Sequence, residues 1–187
     1  LFLPGTKLNF GQNLLSKNND EKAITFVSEN GFREERSWKK LNSNTASIIQ
    51  FLKQIKIVKG DRVAAYMPNC IETVEAFLAT TSIGGIWSSC SPDFGANGVI
   101  ERFSQIKPKV LFITDQYFYN GKKINIIERL SKILQLIPSI KNVIVVNYPG
   151  NKFVKNNTKF KKQKLFKWSN CINKNPQEIK FKMYDFE

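Results

Sequence analysis

Histidine is missing from all 187 residues. That absence removes Ser-His-Asp and Cys-His nucleophile systems, helical H-E-x-x-H zinc sites and any histidine proton shuttle within this chain. Cysteine is scarce. Cys70, Cys90 and Cys171 are odd in number, far apart and without C-x-x-C spacing, which argues against a disulfide framework or a structural zinc site. The sequence has no uninterrupted apolar run near the roughly 20 residues of a membrane span, and its start lacks the order of a signal peptide. It therefore reads as soluble and cytoplasmic. Both phosphate-binding glycine signatures, G-x-G-x-x-G and G-x-x-x-x-G-K-[ST], are lacking as well.

Arginine is also sparse, although the formal charge is +14. Only Arg33, Arg36, Arg62, Arg102 and Arg129 carry the planar fork that grips phosphate; the other cations are lysines in a sequence crowded with Asn and Ile. Bulk composition explains this charge better than a dedicated polyanion surface. The run "KFVKNNTKFKKQKLFKW" (152–168) has aromatics between its lysines and keeps a nucleic-acid footprint open as an alternative.

What is present is a core-forming chain, 42% hydrophobic, with the length of one domain or of a piece of a larger one. It opens on Leu1 without a methionine and stops at "KMYDFE" with no helix stop or tail, so both ends read as cut. Four apolar, β-forming runs recur: "RVAAYM" (62–67), "GIWSSCS" (85–91), "KVLFIT" (109–114) and "KNVIVVN" (141–147). Helical segments separate them. In "CIETVEAFLATTSIG" (70–84) Val74, Phe77, Leu78 and Thr81 share a face; in "ANGVIERFSQI" (96–106) Val99, Phe103 and Ile106 do so; "KINIIERLSKILQLI" (123–137) is the third. This alternation predicts an α/β fold, a parallel βαβ sheet covered on both faces. Upstream, Asn30-Gly31 between two alternating runs predicts a hairpin over 23–38, and Ser37 is the expected N-cap of a helix over 38–55. Beyond residue 150 the expectation is a lysine- and asparagine-rich surface coil.

Ligands of such sheets gather at the carboxyl ends of strands. This nominates the loops at 67–70, 88–98 and 114–123. In the middle one, Cys90 has no base to take its proton and reads as a small strand-end residue. Ser88, Ser89 and Ser91 fit no G-x-S-x-G elbow and read as hydroxyls that tie off backbone groups. Asp93, between Pro92 and Phe94-Gly95, is turn chemistry and a candidate cap for the next helix. Lys122 and Lys123, after Asn120-Gly121, are placed where ammonium groups could meet a ligand phosphate; a solvated loop is the competing reading.

Four ordered stretches carry a resemblance: "LPGTKLNFGQNLL" (3–15), "KGDRVAAYMPNCIETVEAFLATTSIGGIWSSCSPDFG" (59–95), "RFSQIKPKVLF" (102–112) and "YNGKK" (119–123). With them the sequence resembles the acyl-CoA synthetases of the adenylate-forming (AMP-binding) superfamily. "IWSSCSPDFG" followed by "RFSQIKPKVLF" looks like the acetoacetate branch in particular. The resemblance implies a two-step ligation in which acetoacetate and ATP, with Mg2+, give an acyl-adenylate and pyrophosphate, and the CoA thiol then takes the acyl group and releases AMP.

The resemblance also implies a layout. Residues 1–21 would end the N-terminal covering segment of acetyl-CoA-synthetase-like enzymes, and 22–187 would be the first part of the AMP-binding domain, ending before its phosphate loop. No catalytic, ATP-binding or metal residue is then expected within the chain, which alone would be inactive and would expose apolar patches. What it implies here is a CoA-binding wall: Ser91, Pro92 and Asp93 as loop surface, with Lys122 and Lys123 as partners for CoA phosphate. The acetyl-CoA branch has glycines and arginines at these places. A synthetase for acetate or propionate is the alternative within the class, and a basic nucleic-acid-binding α/β domain the alternative outside it.

Overall fold

Strands whose side chains are buried on both faces need a partner strand on each edge and a helix on each face. Val63, Ala64, Ala65 and Tyr66 are all fully buried, as are Val110 to Ile113, and Val143 and Ile144 join them. These residues form the middle of the fold. The computed structural model describes residues 4–150, 152 and 162–185. In chain order the elements are β1 (Lys7–Leu8), α1 (Phe10–Leu14), β2 (Lys22–Val27), β3 (Arg33–Ser37), α2 (Trp38–Gln54), β4 (Arg62–Tyr66), α3 (Ile71–Ser82), β5 (Ile86–Cys90) and α4 (Ala96–Ile106). Then follow β6 (Val110–Thr114), β7 (Gln116–Tyr119), β8 (Lys122–Asn125), the 3-10 turn Ile127–Arg129, α5 (Leu130–Leu136), β9 (Asn142–Val146), β10 (Lys164–Lys167), α6 (Trp168–Cys171) and β11 (Tyr184–Asp185).

Five strands make one all-parallel sheet in the order β10-β9-β6-β4-β5. The chain crosses from β4 to β5 in one direction and from β5 to β6 in the other. Right-handed crossovers therefore put α3 and α4 on opposite faces. α2 packs on α3 and α5 packs on α4, which covers both faces as the sequence predicts. Ser37 caps α2 by accepting the Lys40 N–H at 3.3 Å.

Several expectations need correction. Isolated periodicity assigns Val74, Phe77, Leu78 and Thr81 to the buried face of α3, yet the fully buried set includes Ile71, Glu75, Ala76 and Ala79. The helix is covered on two sides, because Leu78 joins Leu15 and Leu41 in a second apolar cluster against which Val74 and Phe77 pack. β5 is an edge strand of the described sheet rather than a buried one, with Ile86 53% exposed. The helix expected over 123–137 begins only at Leu130, since Gln116–Tyr119 and Lys122–Asn125 pair as a hairpin about Asn120 and Gly121, both at positive φ. Residues beyond 150 are not all coil: Lys164–Lys167 adds a fifth parallel strand beside β9. Residues 153–161 of the lysine-rich run lie outside the described residues.

The first segment is fastened to α3 and to β11. Asn9 caps α1 through Gln12 N–H, and its buried amide donates to the carbonyls of Ser82, at 2.9 Å, and Lys182, at 2.8 Å. Phe10 meets Phe77 edge-on at 5.3 Å between centroids, and β1 pairs with β11.

Candidate functional site

β4 lies between β5 and β6, and the chain leaves its carboxyl end toward one face but leaves β6 toward the other. That divergence opens a crevice at the strand ends, the usual ligand position in open α/β sheets. A pocket of about 230 Å³ occupies it, lined by residues 67–69 after β4, 89–93 at the end of β5 and 117–119 of β7. All three segments nominated from the sequence meet there.

Ser91, Pro92 and Asp93 sit together in this wall. Pro92 is buried beneath it, whereas Ser91, Asp93, Phe94 and Gly95 are exposed. The Ser91 hydroxyl donates to Asp93 Oδ2 at 2.7 Å and accepts the Asp93 N–H at 3.4 Å, a local turn that shapes the loop. Asp93 Oδ1 accepts from the Tyr117 hydroxyl. These two donors, Tyr117 first, hold the Asp93 carboxyl below its ordinary range. Burial and the adjoining carboxylate push the Tyr117 hydroxyl up, so it stays a donor.

From behind, Tyr66 and Arg129 hold the loop. The Tyr66 hydroxyl donates to the carbonyl oxygens of Pro92, at 3.2 Å, and Phe94. Arg129 Nη1 donates to the Tyr66 hydroxyl and to the same two carbonyls, at 3.1 and 3.0 Å. The far side of Phe94 is covered by the Arg102 guanidinium, 4.4 Å from the ring centroid.

Cys90 is buried and its thiol is pushed up by that burial, the opposite of what a nucleophile needs. Ser88 and Ser89 lie on β5, opposite Ala64 and Ala65. Asp93 does not cap the next helix: the N-cap of α4 is Gly95, with no side-chain cap bond. Lys122 and Lys123 are exposed on β8, opposite Tyr119 and Phe118, and do not line the pocket. They extend from the same hairpin whose first strand does.

A second charged cluster lies away from the pocket. Arg36 Nε is 3.0 Å from Glu75 Oε1, and its Nη2 is 3.0 Å from Glu34 and 4.0 Å from Glu72. Asn44 donates to Glu75 at 2.8 Å. Burial pushes Glu75 up to about 8 against the pull of Arg36. Among the described residues, no group of three or more His, Cys, Asp or Glu could hold a metal ion, and no helix is long and apolar enough to cross a membrane.

Sequence reasoning missed Tyr66, Tyr117 and Arg129. One signal was available: a tyrosine ending an otherwise apolar strand must find a partner for its hydroxyl. The partner, 63 residues away, carries no local signature.

The chain is similar to known proteins over most of its length. Acetoacetyl-CoA synthetase of Xenopus tropicalis is 41% identical over 77% of the chain, and that of Rhizobium meliloti (strain 1021) is 40% identical over 80%. The chain spans about a fifth of the length of these curated relatives, 22% and 23%. The solved acetoacetyl-CoA synthetase from Streptomyces lividans superposes with a TM-score of 0.85 at 30% identity, over 97% of this chain and 27% of that one. The family model described as "AMP-binding enzyme" matches residues 12–183, and on that span the chain belongs to the AMP-binding enzyme family.

Proposed function

We propose that this chain is the CoA-facing part of an ATP-dependent acid-thiol ligase that converts acetoacetate, ATP and CoA to acetoacetyl-CoA, AMP and pyrophosphate through an acyl-adenylate. The observation that carries this reading is the switch-point pocket walled by Ser91, Pro92 and Asp93 in a chain 41% identical to an acetoacetyl-CoA synthetase. In this reading the exposed 91–95 loop faces the CoA nucleotide. Lys122 and Lys123, on a tight hairpin beside it, meet CoA phosphate as flexible point charges. The fixed Asp93 carboxylate would repel phosphate and accept from a hydroxyl or amine instead, so the phosphates belong on the lysine side.

Residues 1–21 act as the end of a covering segment, supported by the packing of Phe10 on Phe77, and 22–187 as the first part of the AMP-binding domain. The adenylation chemistry, with ATP and its Mg2+, is assigned to residues outside this chain. Among the described residues, no carboxylate set fits a metal.

The test is product formation by the whole gene product that contains this chain. AMP release should depend on both acetoacetate and CoA, and should exceed that with acetate or propionate. Equal rates with the shorter acids would move the reading to an acetate or propionate synthetase. The isolated 187 residues should give no acetoacetate-dependent pyrophosphate.

A further inference from the structure

We propose that Arg129 is a positioning residue for the thiol-acceptor half of the reaction, acting with Tyr66 to fix the shape of the 91–95 loop; this rests on the reading that the loop faces CoA. Two backbone carbonyls, of Pro92 and Phe94, turn inward toward one guanidinium nitrogen. Carbonyl oxygens gathered in this way repel each other unless a donor lies between them. Arg129 Nη1 and the Tyr66 hydroxyl are those donors, and they also bond to each other.

With the carbonyls of 92 and 94 held inward, Pro92 is packed down while Ser91 and Asp93 are presented outward. The two anchors come from rigid places. Tyr66 is the last residue of β4, paired on both sides by β5 and β6, and is fully buried, and Arg129 ends the 3-10 turn that leads into α5. Arg129 thus ties the turn that follows the Lys122 hairpin to the 91–95 loop, beside the direct bond from Tyr117 of that hairpin to Asp93. Loss of such a tie acts through geometry, and a misplacement of about 1 Å is enough to cost up to ~10²-fold.

The experiment uses the whole gene product with Arg129→Met, Arg129→Lys and Tyr66→Phe, scored for the KM for CoA, for acetoacetate-dependent ATP–pyrophosphate exchange, and for Tm. Arg129→Met should raise the KM for CoA roughly 10-fold and leave exchange within about twofold, since exchange does not use CoA. Arg129→Lys, which keeps the charge but not the fork, should fall between. Tyr66→Phe keeps the packing and should move the same parameter, which preserves the test if Arg129→Met folds poorly. An unchanged KM for CoA, or exchange and CoA use falling together, would overturn the positioning role. Lys122→Ala and Asp93→Ala separate the premises. If both raise the KM for CoA while Arg129→Met does not, only the positioning role fails. If neither does, the CoA reading of the loop fails and this proposal fails with it.

Discussion

The Tyr117 hydroxyl donates to Asp93 Oδ1 and so joins β7 to the loop that follows β5. Because a donor to the ionised form lowers a carboxyl pKa, Tyr117→Phe should raise the Asp93 midpoint toward its ordinary value, with Ser91 retaining part of the effect. The sign for stability follows from linkage. A depressed carboxyl stabilises the fold above the ordinary carboxylate range and loses that contribution as pH falls through the folded value. Carbon-detected NMR titration of Asp93 in both forms checks this, and an unchanged midpoint would count against the bond.

Arg36 and Glu75 meet where the carboxylate is fully buried. With Glu75 raised from 4.5 to about 8, the folded chain holds a proton that the unfolded chain releases across that range. This contribution to stability is complete below about pH 4.5 and fades as pH rises to about 8. Glu75→Gln should flatten that decline in urea melts. Arg36→Met should cost little near pH 5, where the carboxyl is protonated, and should move the Glu75 midpoint further up, because the pull of Arg36 on the ionised form is lost.

Gly11 packs against Ser82 so closely that an added Cβ would lie 2.0 Å from the serine oxygen. Gly11→Ala should therefore pry α1 from α3 at a cost of about 1–3 kcal/mol. Trypsin should cut at Lys7 and Lys17 sooner in the variant, while cleavage within the parallel sheet stays slow. Equal rates at those lysines would show that the segment is not held by this contact.

The parallel sheet was legible because β4, β6 and β9 are buried on both faces and so spell continuous apolar runs. The hairpin at Asn120-Gly121 was missed although it carries the same dipeptide that marks the loop at 30–31. The apolar residues that follow it, Ile124 to Leu136, have a helical period, and it swallowed the strand before them. β10 was hidden for the opposite reason: "KLFK" has only two apolar residues and sits in lysine-rich sequence, so its strand character comes from pairing with β9 rather than from its own pattern. Of the candidate site, the loop that holds Ser91 to Asp93 was nominated by its position after a strand, and its CoA role came from the resemblance alone. The groups that hold them, Tyr66, Tyr117 and Arg129, come from three other elements, and only the fold brings them together.

On the proposed reading, CoA lies against the 91–95 loop and the 119–123 turn. Amide hydrogen exchange of the whole gene product, with and without saturating CoA, would show that contact. Protection of peptides covering both stretches, with little change in α2, is the predicted result. Protection confined to other regions, with these two stretches exchanging as before, would contradict it.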